Sequence, residues 1–216
     1  MRHRLLKRIV RHIFLRHNYK IVVVTDRETM DKIYQFRYRM YCLEHKFLNP
    51  TQFPEGRESD EYDKHSTHIA AINRNGDIIG LVRLIHAYVT TLPTEKSHNL
   101  AEIISHIKKS GVVEISRLII DSKYRKTFLF LDLLKFVFNY SKSHDINYWI
   151  GSIEEGFYNY LKKAFGFFPL FEERKFIYNT WNYSFLIDLV KFEETFKHDN
   201  RILYYIFKNR LVDKFF

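Results

Sequence analysis

The stretch that decides the fold is GVVEISRLII, residues 111–120. Most of its side chains are aliphatic and β-branched, which is typical of a strand inside a sheet. Glu114 and Arg117 interrupt this pattern, and burying a carboxylate or a guanidinium is costly unless each group has a partner. The two charges therefore indicate either a structural ion pair or a site that uses charge for chemistry.

The spacing of these two charges is a second constraint. Residues that are three apart point to opposite faces of a regular strand. A β-bulge near Ser116 would turn Glu114 and Arg117 toward one cleft. A shared site therefore requires an irregular strand.

The surrounding sequence predicts one α/β (α+β) domain, 1–216, with a mostly antiparallel front and a helical crossover between later strands. Asn75-Gly76 is the strongest turn signal and marks a hairpin. No repeat or linker indicates a second domain. The predicted strands are 19–26, the hairpin 67–86, 112–120, 147–153 and about 182–190; the predicted helices are 27–45, 94–109, 124–144, 154–167 (ending near Gly166) and about 192–210; and residues 46–66 are predicted to be a long loop.

The composition excludes a disordered chain, because 46% of the residues are hydrophobic and 17% are aromatic. The single cysteine, Cys42, excludes an intramolecular disulfide and is compatible with a reducing cytoplasm. We interpret Cys42 as a small buried hydrophobe rather than a nucleophile.

The net charge of +10 is concentrated near the start of the chain. Residues 1–17 contain no acid and have apolar residues at helical spacing, which predicts a basic amphipathic helix. It is too charged for a signal peptide or a membrane span. Three interpretations of this helix are open: its apolar stripe packs on the core, it docks to an acidic protein, or it contacts an anionic membrane surface. We expect a cytoplasmic protein that does not bind nucleic acid, with membrane association as an option.

Other charges also fall in apolar settings. Arg37 lies on the inward stripe of the helix 27–45, Arg83 interrupts the hairpin, and Asp60 and Asp63 come from the long loop. With Glu114 and Arg117 they predict one polar network of six charges. This network is either a structural salt-bridge cluster or a functional cleft. A metal site from Asp60, Asp63, His65 and His68 matches no strong ligand spacing, and we expect no metal.

The order of these residues resembles the acyl-homoserine-lactone (autoinducer) synthases and the related N-acyl amino acid synthases. Both are GNAT-fold enzymes that take an acyl chain from an acyl carrier protein. Tyr41 and Phe47 depart from the Phe and Trp of the lactone synthases, which disfavours S-adenosylmethionine as the amine donor. The six charged positions match, namely Arg37, Asp60, Asp63, Arg83, Glu114 and Arg117, and Tyr41 and Phe47 occupy the two aromatic positions.

The resemblance implies an N-acyltransferase that moves a long-chain acyl group from acyl carrier protein to an amino acid. The alternatives are a lactone synthase that uses S-adenosylmethionine and a non-catalytic acyl- or carrier-binding module. The resemblance also implies a mixed sheet splayed at 112–120, with Glu114 as the base. Arg117 would hold Glu114 ionised or contact the acyl substrate. Arg37 and Arg83 would pair with Asp60 and Asp63, or bind an amino acid carboxylate.

The segment DSKYRKTF, 121–128, predicts the donor site, because it enters a helix whose first amides can hold a phosphate of phosphopantetheine. Ser116, Arg125, Lys126 and Thr127 are the predicted contacts. The segment lacks the usual GNAT glycines, which favours acyl carrier protein over coenzyme A, although acyl-coenzyme A is an option. No bound cofactor is expected. The carrier is acidic and suits the basic terminus, and the apolar excess in 128–187 predicts an acyl tunnel.

Overall fold

The computed structural model describes residues 19–97, 104, 106–107, 109–165, 169–177 and 180–209. The strands are β1 Tyr19–Val23, β2 Ser66–Asn73, β3 Ile78–His86, β4 Val112–Ile120, β5 Tyr148–Glu154, β6 Phe171–Ile177 and β7 Thr180–Asp188. The α-helices are α1 Arg27–Tyr38, α2 Pro93–Ser97, α3 Leu129–Ser143, α4 Glu155–Phe165, α5 Leu189–Asp199 and α6 Arg201–Asn209, and a π-helix, Arg39–Glu44, continues α1.

The strands form one seven-stranded sheet in the order β1-β2-β3-β4-β5-β7-β6. Every neighbouring pair is antiparallel except β4 and β5, which are parallel and are joined through α3. This is the mixed, mostly antiparallel sheet flanked by helices that the sequence predicts.

The two faces of the sheet have different cores. Aromatic side chains from α3 to α6 fill one face, where Phe138 contacts Trp149 and Phe207 edge to face. On the other face, Ile33 and Met40 pack on the sheet from α1 and the π-helix. That second face also carries the charged side chains of the candidate site.

Two local sequence features fix the start of a helix and the geometry of a turn. Asp26 caps α1 by accepting a hydrogen bond from the Thr29 amide at 2.8 Å. Gly76 has φ +84° in the turn between β2 and β3, a conformation that glycine adopts without a steric penalty.

The predicted helix 27–45 is continuous but not uniform. Its α-helical part ends at Tyr38, and the next turn is wider because the His45 amide donates to the Met40 carbonyl, five residues back. The predicted helix 124–144 begins only at Leu129, after a 3₁₀ turn at Ser122–Tyr124 in which the Asp121 carboxylate accepts from the Lys123 amide.

The end of the chain differs more. The predicted helix at 192–210 is two helices, because Asn200 leaves the helical conformation and its side chain accepts from the Leu203 amide. Strand β6 was not predicted, since FEERKFI is polar and β6 is an edge strand. The predicted helix 94–109 is α-helical over Pro93–Ser97. The predicted helix 1–17, residues 98–103 and the helix end near Gly166 lie outside the described residues.

None of the helices in the described ranges is both long and apolar enough to cross a membrane.

Candidate active site

The predicted β-bulge in β4 is confirmed. Arg83 pairs with Ser116 and Leu81 pairs with Ile119, so two steps along β3 match three steps along β4. Arg117 is at the bulge and has φ +49°, which is the left-handed region and costs a non-glycine residue about 1–2 kcal/mol. Surrounding contacts must therefore hold Arg117 in place.

Pairing between β4 and β5 stops just before this bulge. The parallel ladder joins only Val112–Glu114 to Tyr148–Ile150. We call the space flanked by Ser116 of β4 and Ser152 of β5 the β4–β5 gap. The interrupted ladder agrees with the predicted splay at this strand.

Three arginines and three carboxylates form a network beside the bulge. Arg37 is fully buried and donates through Nε and Nη2 to the Glu58 carboxylate, at 2.6 and 2.9 Å, and through Nη1 to Asp63 at 2.6 Å. Arg117 donates to Glu58 at 2.8 Å and to Asp60 at 3.0 Å. Glu58 therefore bridges the guanidinium groups of Arg37 and Arg117.

Arg83 completes this arginine–carboxylate network. It donates to Asp60 at 2.5 Å, to Asp63 at 2.7 Å and to the Ser116 hydroxyl at 2.9 Å. The structure thus brings together five of the six predicted charges. The prediction that Glu114 would be the sixth is wrong, because Glu58 takes that position.

Electrostatics keep the Glu58 and Asp63 carboxylates ionised. Burial by itself would raise the pKa of Glu58, but the hydrogen bonds from Arg37 and Arg117 outweigh it and lower the pKa to about 2. Burial also opposes ionisation of Asp63, yet His68, Arg37 and Arg83 together hold its pKa well below the usual range. The arginines donate to ionised carboxylates, so these hydrogen bonds are charge-assisted.

Glu114 lies apart from the network in an apolar setting. Its side chain is buried, and Oε2 accepts a hydrogen bond from the Thr94 amide at 2.9 Å. Among the described residues it forms no salt bridge. Burial raises the pKa of Glu114 to about 7, although Thr94 and the more distant charges of Arg83 and Arg117 act in the opposite direction. A carboxyl group with this pKa can accept and release a proton near neutral pH.

An aromatic wall lies beside Arg117. The guanidinium of Arg117 stacks on the Tyr41 ring at 5.3 Å, and Tyr41 is 6.3 Å from Phe47 between ring centroids. Burial raises the pKa of Tyr41 to about 12, so this residue keeps its proton. Phe47 is 45% exposed and stacks on His45. The two predicted aromatic positions therefore lie next to each other.

The predicted donor residues lie around the start of α3. Arg125 donates to the Ile120 carbonyl at 3.1 Å and reaches His45 at 2.7 Å, while Lys126 is exposed. The Thr127 hydroxyl donates to the Tyr124 carbonyl and accepts from the Leu129 amide. Ser116, in contrast, is part of the sheet and contacts Arg83. No side chain caps α3 at Phe128.

An apolar cavity lies on the opposite face of the sheet from Glu114. Its free volume is about 60 Å³. Side chains of β4 and β5 line it together with aromatic and aliphatic side chains of α3 and α4. The lining residues include Ile115, Leu118, Phe130, Leu134, Trp149, Ile153, Phe157 and Leu161.

The other sequence hypotheses concern Cys42 and a metal. Cys42 is buried, and burial raises the pKa of its thiol, which fits the interpretation as a small hydrophobe. Among the described residues, no group of three His, Cys, Asp or Glu side chains is arranged to hold a metal ion. Asp63 instead contacts two arginines and His68.

Similar architectures occur in several solved structures. The CoA-dependent acyl-homoserine lactone synthase BjaI, solved with SAM and isopentyl-CoA, superimposes with a TM-score of 0.64 at 19% identity, over 90% of this chain and 91% of BjaI. FeeM, an N-acyl amino acid synthase from uncultured soil microbes, has a TM-score of 0.59 at 17% identity, over 82% of this chain and 93% of FeeM. A spermidine N-acetyltransferase chimera containing Vibrio cholerae SpeG has a TM-score of 0.51 at 15% identity, over 81% of this chain and 98% of the chimera. No curated protein sequence matches this chain.

The fold and the family comparison together define an N-acyltransferase of the GNAT-like class. The family model for the N-acyl amino acid synthase FeeM matches residues 32–180, which include all of the arginine–carboxylate network, Glu114 and the start of α3. The chain therefore belongs to the FeeM N-acyl amino acid synthase family.

Proposed function

We propose that this enzyme transfers a long-chain acyl group from the phosphopantetheine thioester of acyl carrier protein to the amine of an amino acid. The observation that carries this proposal is Glu114, a buried carboxyl group with a pKa near neutrality beside the β4–β5 gap. A non-catalytic binding module would have no need for such a group.

In the proposed reaction, Glu114 takes a proton from the attacking amine, directly or through one water. The amine nitrogen forms a bond to the thioester carbon, whose carbonyl electrons move to oxygen. The intermediate collapses, the C–S bond breaks, and Glu114 passes the proton on to the carrier thiolate, directly or through water. The products are an amide and the free carrier thiol.

The network defines what each arginine can contribute. Arg37 and Arg83 are almost fully buried and already make charge-assisted hydrogen bonds to carboxylates, so they shape the acceptor pocket. The side chain of Arg117 is 24% exposed and lies between Tyr41 and Glu58. We assign to Arg117 the contact with the acceptor carboxylate, and to Tyr41 and Phe47 the wall of that pocket.

The donor side is assigned to the start of α3. The positive N-terminal end of α3, together with exposed Arg125 and Lys126, suits the phosphate of phosphopantetheine. We assign Thr127, in the turn before α3, and Ser116, beside the gap, to the donor side as well. The segment 121–128 has no glycine, and we therefore favour the carrier protein over coenzyme A as donor.

The acyl chain is assigned to the apolar cavity behind β4 and β5. A volume of about 60 Å³ is too small for a long chain in the present side-chain arrangement. Entry of the chain therefore requires movement of lining side chains, among them Phe130 and Phe157. At present these two rings contact each other edge to face, with 5.3 Å between their centroids. Van der Waals contacts between the acyl chain and each ring would replace this contact.

Incubation with acyl donors and amines tests the proposal. Purified enzyme is given palmitoyl or shorter acyl groups on carrier protein or on coenzyme A, with each free amino acid or with S-adenosylmethionine, and the products are identified by mass spectrometry. We expect N-acyl amino acids from the carrier-bound donor. A homoserine lactone product would instead establish the lactone synthase alternative. The absence of a product with every amine tested would reject both enzymatic hypotheses.

The pH dependence of turnover provides a check on Glu114. Because the ionised form accepts the proton, the rate should rise with pH and level off above about 7. The side chain and amide of Thr94 both stabilise the ionised form, so Thr94→Val should move the inflection upward by about 0.7 units for a hydrogen bond worth about 1 kcal/mol. Thr94→Ser keeps the hydroxyl and should leave the inflection in place. An inflection that does not move in Thr94→Val would contradict this prediction.

A further inference from the structure

Ser152 lies on the face of the sheet that carries Glu114. Ile150 of β5 pairs with Glu114 of β4, and Ser152 is two residues further along β5, so alternation places both β5 side chains on the face of Glu114. Strand β5 remains regularly paired with β7 through this region, where Ser152 is opposite Ser184. No bulge therefore disturbs the alternation.

The row of side chains beyond Glu114 is polar across the sheet. On one side of the β4–β5 gap, His68, Arg83 and Ser116 occupy directly opposed positions of β2, β3 and β4. On the other side, Ser152 and Ser184 are opposed on β5 and β7. If the β4–β5 ladder continued, Ser116 would be opposite Ser152, but the ladder ends at Glu114. The two serines thus flank the gap.

The two hydroxyl groups differ in their partners. Ser116 accepts a hydrogen bond from Arg83 at 2.9 Å. The Ser152 hydroxyl oxygen is buried, and among the described residues it has no hydrogen-bond partner. Buried polar atoms nearly always have a partner, so this hydroxyl is available to a molecule that enters the gap.

We propose that the Ser152 hydroxyl donates a hydrogen bond to the carbonyl oxygen of the acyl thioester. This inference rests on the proposed function, in which the amine attacks from the face of Glu114. When the nitrogen adds to the thioester carbon, the carbonyl oxygen gains negative charge. A buried hydroxyl already placed beside the gap stabilises that charge more than it stabilises the neutral carbonyl. Ser152 is then a catalytic residue that sequence spacing does not reveal.

Paired measurements of turnover and stability test this role. Ser152→Ala should lower kcat by about 10–100-fold, since loss of one oxyanion donor costs about 10²–10³-fold in the strongest cases. Its urea unfolding midpoint should be equal to or higher than that of the wild type, because a buried hydroxyl without a protein partner is removed. Ser184→Ala is the matched control: Ser184 is buried in the same row, and its substitution should lower stability more than turnover.

Equilibrium binding separates this inference from the proposed function. Wild type should bind an acyl thioester of pantetheine more tightly than the S-alkyl thioether that lacks the carbonyl, and Ser152→Ala should lose most of this difference. This comparison needs no turnover, so it remains valid if wild type acylates no amine tested. Unchanged kcat together with an unchanged preference for the carbonyl in Ser152→Ala would overturn the assignment.

Discussion

Glu114→Gln is expected to lower turnover by about 10²–10⁴-fold, the contribution typical of a positioned general base. Glutamine keeps the size of the side chain and can still accept the hydrogen bond from the Thr94 amide, but it cannot take up the amine proton. Binding of the acyl carrier protein should change little, because Glu114 is buried and cannot contact the carrier surface. Turnover is measured from product formation and binding from a titration of the carrier.

The same substitution has a stability effect of opposite sign. The folded-state pKa of Glu114, about 7, is above its ordinary value of 4.5, so the folded state is favoured at low pH and loses this advantage as pH rises from 4.5 to 7. At pH 8, Glu114→Gln removes the cost of ionising a buried group, which is up to about 3 kcal/mol. The variant should therefore be less active and at least as stable. Equal losses of turnover and carrier binding would contradict the role of Glu114 as the base.

Glu58→Gln is expected to lower the free energy of unfolding by about 3 kcal/mol, because it removes the charge shared by two arginines. Arg37 is fully buried, and loss of one partner from a buried ion pair leaves an uncompensated charge that typically costs 3–5 kcal/mol. Asp63 still pairs with Arg37, so the lower part of this range is the appropriate value. Urea denaturation at pH 7 measures the change.

Glu61→Gln is the matched control from the same loop. Glu61 pairs with Lys96 at 3.3 Å, and both side chains are more than half exposed. Exposed pairs contribute at most about 1 kcal/mol, so this variant should keep near wild-type stability. If Glu61→Gln were as destabilising as Glu58→Gln, the effect would come from the loop as a whole and not from the bridge between Arg37 and Arg117.

The pH dependence of stability should also differ between wild type and Glu58→Gln. The folded-state pKa of Glu58, about 2, is below its ordinary value of 4.5, so its contribution is present above pH 4.5 and is lost as pH falls toward 2. Wild type should therefore lose stability over this acidic range more steeply than the variant. Acid titrations of the two proteins in moderate urea make the comparison.

Much of the site was predictable because charged residues are conspicuous in apolar elements. Arg83 and Glu114 lie in strands whose other residues are almost all apolar, and the odd spacing of Glu114 and Arg117 required the bulge that the structure shows. Glu58, in comparison, is not a charged residue within an apolar segment. It lies in a loop of polar residues, where nothing in the local pattern distinguishes a side chain that is 1% exposed from its exposed neighbours.

The elements that sequence did not predict have a shared physical cause. The π-helical turn at Arg39–Glu44 is defined by backbone hydrogen bonds that span five residues instead of four, and side-chain periodicity hardly records this difference. Strand β6 carries charged residues on both faces and is defined by its pairing with β7. Ser152 is one hydroxyl in an ordinary strand, and its lack of a protein partner becomes visible only once its surroundings are known.

The bulge at Arg117 also determines on which face of the sheet each later side chain of β4 lies. Because of the extra residue, Leu118 faces the apolar cavity and Ile119 packs on the α1 side. A regular strand would exchange these two faces, since a shift of one residue inverts every later side chain. The long loop supplies Glu58 and Asp60, which hold Arg117 in its left-handed conformation. Docking of the loop and correct alternation of the central strand are therefore a single event, and a sequence change that regularises the strand would disorder the core and dismantle the site together.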